Sequence, residues 1–234
     1  MRFRAVFFDV GETLVHPVPS FHELFSTIVT REGYPRNADD VVAASSVVVQ
    51  RFSDAARGNE LWTTSPERSH AFWLDVYERM LSALDLPNGD GLRDTLYDAF
   101  TDHANYGLFD DVPGALRAVS ASGATLGIVS NFEAWLDDLL VALDVRETFG
   151  VRVISGCEGI EKPDPRIYRL ALDRAGVAPQ DAAFVGDNPE FDVDPPAALG
   201  MFPVLIDRRG RHEGHAGPGV RITDLADLMS VLEA

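Results

Sequence analysis

The chain has 234 residues, 46% of them hydrophobic, which is the composition of a folded globular protein and excludes a disordered one. Its 37 acidic residues outnumber 20 basic ones for a net charge of −17, spread over residues 16–107 (14 acidic, 7 basic) and the remainder (23 and 13), so no basic stripe is available for nucleic acid. One cysteine cannot form an intramolecular disulfide, no 18-residue apolar window exists for a membrane span, and the N-terminal apolar run stops at Asp9; a soluble cytoplasmic protein is expected.

Ala5–Phe8 is a short, unbroken apolar run, the pattern of a strand buried on both faces. Residues 16–107 then read as consecutive helices. Ser20 with Glu23 forms a capping box for a helix to about Glu32. A second runs from about Ala38 to Arg57 and stops at Gly58. Ser65 and Pro66 supply the N-cap and first-turn proline of a third reaching about Leu84, and a fourth spans about Gly91 to His103. Linkers are expected near His16–Pro19 and Asn105–Asp110. Helix Pro113–Ser122, strand Thr125–Val129, helix Ala134–Leu143, a weaker strand Val151–Ile154 and helix Pro165–Ala175 follow. Strand Ala182–Val185, helix Asp192–Ala198, strand Phe202–Ile206, a surface loop Gly210–Gly219 and helix Thr223–Leu232 complete the chain. Strands alternating with helices imply an α/β domain with a parallel sheet, interrupted by an all-helical insert.

In such a sheet, ligands bind beyond the carboxyl ends of the strands. After the first strand come Asp9-Val10-Gly11-Glu12-Thr13-Leu14. Ser130-Asn131 follow the second, and Gly186-Asp187 the fourth, with Asp192 five residues later. Lys162, in Glu-Lys-Pro-Asp-Pro, stands at the head of a helix capped by Asp164. It is the one lysine among 20 basic residues.

Phe7-Phe8-Asp9-Val10-Gly11-Glu12-Thr13-Leu14, Val129-Ser130-Asn131, Lys162 in Lys-Pro-Asp-Pro, and Val185-Gly186-Asp187 with Asp192 occur in that order. They resemble the four motifs of the haloacid dehalogenase superfamily, with a helical cap inserted after the first. The resemblance covers nearly the whole chain. It implies a doubly wound core of residues 1–15 and 108–234, a cap at 16–107 that closes over the site, and a Mg²⁺-dependent phosphatase acting on a small phosphorylated metabolite. In that family Asp9 is the nucleophile and forms an aspartyl-phosphate. Asp9, the Gly11 carbonyl, Asp187 and Asp192 are the implied Mg²⁺ ligands. Ser130 and Asn131 would bind the substrate, with a helix N-terminus nearby, and Lys162 would neutralise the nucleophile and transferring group.

One position departs from the phosphatase pattern. The residue two after the nucleophile is usually a second Asp that serves as general acid and base; here it is Gly11, leaving Glu12 as the nearby substitute. Phosphonate-cleaving relatives also lack that Asp but need a cap lysine, and residues 16–107 contain none. The alternatives are a metal-free 2-haloacid dehalogenase and a catalytically weakened binding protein. Elsewhere, His16, His22, His70 and His103 lack metal-ligand spacing. Trp62, Phe72 and Trp73 read as core of the helical block, Arg51 and Arg68 as solvated, and Cys157 as small and buried, its thiol pKa raised by Glu158 and Glu161.

Overall fold

The structure is a computed structural model and describes residues 2–58 and 60–234. β1 (Ala5–Phe8) is followed by β2 (Val15–Pro17) and five helices: α1 (Phe21–Arg31), α2 (Ala38–Ala44), α3 (Ser46–Gly58), α4 (Pro66–Ala83) and α5 (Asp90–Thr101). Then come β3 (Tyr106–Leu108), α6 (Val112–Ala121), β4 (Thr125–Ser130), α7 (Leu136–Ala142), β5 (Val151–Ile154), the single turn α8 (Ser155–Glu158) and α9 (Pro165–Ala175). β6 (Ala182–Gly186), a π-helical turn at Pro189–Val193, α10 (Asp194–Leu199), β7 (Phe202–Ile206), β8 (Val220–Ile222) and α11 (Leu228–Glu233) close the chain. The chain divides into two compact units, one of Met1–Val15 with Leu108–Ala234 and one of His16–Gly107. Among the described residues, no helix is long and apolar enough to cross a membrane.

The first unit is a doubly wound α/β domain. Its six described strands form a parallel sheet in the order β5-β4-β1-β6-β7-β8. β1 is fully buried, as its unbroken apolar run requires. Winding outward through β4 and β5, then back to β6 on the other side, makes the carboxyl end of β1 the switch point where such sheets open a crevice. Phe7 sits opposite Gly127 in β4 and Phe184 in β6. A Cβ at Gly127 would come within 2.6 Å of the Phe7 ring, so glycine there lets the central aromatic lie flat against its neighbour. Phe7, Val129, Val153, Tyr168 and Phe184 share one core cluster, in which α9 covers the sheet.

Between the short strands β2 and β3 at its ends, the second unit is helical among its described residues. Ser20 caps α1 by accepting from the Glu23 N–H at 3.2 Å and donating its hydroxyl to Glu23 Oε2 at 2.7 Å. Ser65 and Pro66 start α4. The span from Ala38 to Arg57 is two helices, not one. Both the N–H and the hydroxyl of Ser45 turn back onto the Val42 carbonyl (3.1 and 2.7 Å), which diverts the ladder between α2 and α3. Phe25, Phe72, Val76, Met80 and Leu96 centre the core, and Trp62 stacks on Phe72 with ring centroids 4.6 Å apart. Trp73 is half-buried against them.

Arg51 is buried rather than solvated. Its guanidinium spans Glu60 through two bonds of 2.7 Å, reaches Asp75 Oδ2 at 2.5 Å and lies 4.2 Å from the Phe72 ring centroid. A planar five-donor cation satisfies two carboxylates and an aromatic face together, which the linear sequence does not reveal. Arg68 is exposed. The strands β2, β3 and β8, three residues each, were too short to show a period. The predicted helix Thr223–Leu232 is a 3₁₀ turn at Leu225–Asp227 capped by Asp224, leading into α11.

Candidate active site

Three neighbouring strands deliver one polar group each to the switch point. Asp9 directly follows β1, Ser130 ends β4 and Asp187 directly follows β6. The parallel register sets Phe8 opposite Ile128 and Val185, and the Asp9 N–H donates to the Val185 carbonyl at 2.8 Å, so Ser130 and Asp187 stand one residue beyond the level of Asp9. Ser130 Oγ donates to Asp9 Oδ1 at 3.1 Å. Lys162 Nζ donates to Asp9 Oδ1 and to Asp192 Oδ1, each at 2.7 Å, and lies 5.8 Å from the Phe184 ring centroid. One carboxylate oxygen each from Asp9, Asp187 and Asp192 lie within 4.8 Å of one another.

The π-helical turn explains how Asp192 reaches this cluster. It is not a helix N-cap, and the predicted helix from Asp192 begins instead as this turn. Its N–H bonds the Asn188 carbonyl at 2.7 Å, and its Oδ2 accepts from the Asn188 N–H at 3.0 Å. The Tyr168 hydroxyl, itself buried, donates to the Phe191 carbonyl and braces the turn. A Cβ at Gly186 would overlap the Asp192 carboxylate, so only glycine at the end of β6 lets that side chain fold over the strand.

Asn131 uses its amide differently from a free binding group. Its Nδ2 donates to the Lys162 carbonyl at 2.8 Å and its Oδ1 accepts from the Lys162 N–H at 2.6 Å. This reciprocal pair ties the loop after β4 to the backbone of the lysine. The helix expected from about Ala134 starts two residues later. α7 begins at Leu136, and residue 132 is held by Ser155, whose Oγ accepts from its N–H at 2.9 Å and donates to its carbonyl at 3.1 Å.

Burial dominates the electrostatics. It disfavours the Lys162 ammonium, but the charges of Asp192 and Asp9 and their hydrogen bonds outweigh this and hold its pKa above the ordinary lysine value. Burial pushes Asp192 up to about 6, with Lys162 pulling it down and Asp9 adding to the rise. Part of Asp187 reaches solvent, yet its carboxyl lies deep among protein atoms. Burial, followed by the charges of Asp9, Asp192 and Glu12, pushes its pKa well above the carboxylate range. Three crowded carboxylates against one ammonium form an oxygen-rich, under-neutralised pocket, the donor chemistry of a hard divalent cation.

The profile of haloacid dehalogenase-like hydrolases matches residues 3–200. The chain belongs to this family of hydrolases. It is 29% identical over 214 residues to mouse haloacid dehalogenase-like hydrolase domain-containing protein 3, covering 88% of this chain and 82% of that one. It is 31% identical over 187 residues to the (S)-2-haloacid dehalogenase 4A of Burkholderia cepacia, covering 75% and 76%. With the phosphoserine phosphatase of Thermus thermophilus it shares 37% identity over 131 residues, 55% of this chain and 53% of that one. Among solved structures, YfnB from Bacillus subtilis, determined with magnesium bound, superposes over the full length of both chains with a TM-score of 0.79 at 15% identity.

Cys157 differs from expectation, and Glu12 has a distant partner. Cys157 is exposed rather than buried; partial desolvation of its thiol, then the charges of Glu158 and Asp137, raise its pKa. Glu12, in left-handed backbone at φ 58°, places Oε2 2.5 Å from Arg209 Nη2. The Glu12 carboxylate is thus occupied by an arginine side chain. Glu12→Gln should therefore leave kcat/KM for a phosphate ester within about 3-fold of wild type, against the roughly 10²-fold or greater loss of a true general acid.

Charged groups beyond the motifs also gather at this sheet edge. Asp207 follows β7 and accepts from the N–H groups of Arg211 and His212 (2.8 and 2.9 Å) and from Arg221 Nε at 2.8 Å. Arg208 pairs with Asp111 in bonds of 2.7 and 3.0 Å. The residue after each strand end was the available signal, and applying it to strand Phe202–Ile206 finds Asp207-Arg208-Arg209.

Burial alone would raise the Asp111 pKa, but hydrogen bonds from Arg208 and the Leu225 N–H, with the Arg208 charge, hold it below the usual carboxylate value. A depressed folded-state pKa contributes stability that is complete above the unfolded value, near 3.9, and is lost as pH falls through the folded one. Asp111→Asn should lose about 2–3 kcal/mol at pH 7, short of the full cost of a broken buried pair because Arg208 keeps other partners. Urea melts from pH 7 to 2 should show a smaller acid-induced loss in the variant than in wild type.

Proposed function

We propose that this hydrolase is a Mg²⁺-dependent phosphatase acting on a small phosphorylated metabolite, with residues 16–107 serving as the cap that selects it. The carrying observation is the convergence of Asp187 and Asp192 with Asp9, within 4.8 Å and beside one buried ammonium. Carbon–halogen displacement needs one carboxylate as nucleophile and at most one more to activate water, and no cation held by three. Asp9, Asp187 and the Gly11 carbonyl would hold the ion, with Asp192 joining them or, its two oxygens already bonded to Lys162 and Asn188, fixing the lysine. When bound, Mg²⁺ supplies the charge neutralisation that lets one anion approach another.

The chain's own residues carry the steps. The Asp9 carboxylate attacks phosphorus, an Asp9–phosphoryl bond forms, and the ester P–O bond breaks with its electron pair leaving on the alcohol oxygen. That oxygen takes a proton from water, since Gly11 has no side chain to provide one. Water then cleaves the acyl phosphate, releasing inorganic phosphate and restoring Asp9. Ser130 Oγ turns from Asp9 to a phosphoryl oxygen, and Lys162 neutralises charge on both sides of the transfer. Asn131 holds Lys162 in place.

A second reading rests on the 31% identity to a 2-haloacid dehalogenase over three quarters of the chain and on the missing carboxylate at position 11. One assay separates the two. Mg²⁺-dependent release of the phenol from an aryl phosphate, stopped by chelation, supports the phosphatase. Halide release from a 2-haloacid in the presence of chelator overturns it, and silence on both substrates and on a phosphorylated-metabolite panel leaves only binding. Lys162→Arg should lower phosphatase kcat at least about 10²-fold. A guanidinium is larger than the buried site that now seats one nitrogen against two carboxylates.

A further inference from the structure

We propose that Arg208 is a positioning residue for Asp9, clamping the far arm of the nucleophile loop; this rests on the reading of Asp9 as the nucleophile. The loop after β1 is tied to the sheet at its near end by the bond from Asp9 N–H to Val185 O. Its middle closes on itself: the Val10 carbonyl accepts from the N–H groups of Thr13, Leu14 and Val15 at 3.3, 2.8 and 3.0 Å. Those bonds keep the turn compact but attach it to nothing else.

Its far arm runs into β2, which pairs with β3, and is held from outside at three further points. Phe109 N–H donates to the Leu14 carbonyl at 3.1 Å, Arg208 Nη2 donates to the Thr13 carbonyl at 2.9 Å, and Arg209 pairs with the Glu12 carboxylate. The Arg209 pair is more than a third exposed on both sides and contributes little rigidity. Arg208 is different. Its side chain is 14% exposed, gripped by both Asp111 oxygens, and its guanidinium carbon lies 4.0 Å from the Phe109 ring centroid. Asp111 is fixed in turn by the Leu225 N–H at 2.8 Å. The guanidinium plane is thereby set before it meets the Thr13 carbonyl, and its positive charge stays engaged with Asp111 rather than offered to a substrate. Arg208 thus joins the end of β7, the segment before α6 and the nucleophile loop. Lysine cannot reproduce this, because one ammonium cannot span a carboxylate bidentately, donate to a carbonyl and stack.

The test uses the full chain with Arg208→Ala and Arg208→Lys. Amide hydrogen exchange at Thr13, Leu14 and Val15 should accelerate about 10-fold or more in both, while β4 and β5 amides keep wild-type rates. On an ester that wild type turns over, kcat should fall roughly 10²-fold, the scale of a small misplacement of the nucleophile, with KM little changed. Added guanidinium ion should restore part of kcat in Arg208→Ala and none in Arg208→Lys. Wild-type exchange at these three amides, or acceleration no greater than that of the sheet, overturns the proposal whatever the substrate proves to be. Should Arg208→Ala not fold, the same readings on Arg208→Lys decide it. Absence of wild-type turnover on every ester would sink the phosphatase reading and leave the exchange result to decide the clamp.

Discussion

Asp9→Asn is expected to abolish ester hydrolysis, a loss of roughly 10⁶-fold if Asp9 is the covalent nucleophile. The change removes one charge and keeps the shape. Asn cannot donate a carboxylate oxygen to phosphorus, and the acyl phosphate on which the second half-reaction depends never forms. The fold should survive. Lys162 retains Asp192 as an ion-pair partner at 2.7 Å, and Asp187 loses a negative neighbour that raises its pKa. Unchanged thermal melts with no turnover, and a phosphorylated Asp9 peptide recovered from acid-quenched wild type but not from the variant, would establish the role. Residual activity above about a thousandth of wild type would place the nucleophile elsewhere.

Gly11→Asp should increase activity. A Cβ at position 11 would meet only the Phe132 ring, at 4.0 Å, an ordinary contact, and Gly11 is not among the positive-φ glycines, so an L side chain is admissible. The substitution places a carboxyl two residues after Asp9, where it can donate a proton. Its benefit depends on the leaving group. An alkoxide needs a proton to depart, so kcat/KM for alkyl phosphates should rise roughly 10²-fold; a phenolate with electron-withdrawing substituents does not, so activated aryl phosphates should change little. A plot of rate against leaving-group pKa should be steep in wild type and flatter in the variant. Equal slopes would show that a different group already supplies the proton, and the Glu12→Gln variant would then show whether Glu12 is that group.

The α/β class was legible because buried parallel strands leave unbroken apolar runs, as at Ala5–Phe8 and Ala182–Gly186. The helical insert was legible in its caps at Ser20 and Ser65. The break between α2 and α3 was not, since Ser45 is unremarkable until its side chain is seen competing for the Val42 carbonyl. Of the candidate site, Asp9, Ser130, Lys162, Asp187 and Asp192 could be named because each stands at a fixed offset from a strand or helix end. The partners of Asn131, Glu12 and Arg51 could not, because side-chain pairing across 31, 197 and 24 residues leaves no local pattern.

Sequence by itself therefore determined the family, the class of fold, the order of the chemical groups and the absence of a carboxylate at Gly11, all properties of residue type and spacing. The high negative charge and the lone lysine were equally plain in composition. Only the tertiary structure decided how that lysine is used: Lys162 is buried between Asp9 and Asp192, its backbone held by Asn131. It likewise decided that Asp192 reaches the cluster through a π-helical turn over Gly186, and that Arg208 bonds the Thr13 carbonyl in the loop after β1. The physical reason is the same in each case: distances between groups far apart in the chain are set by strand order and packing.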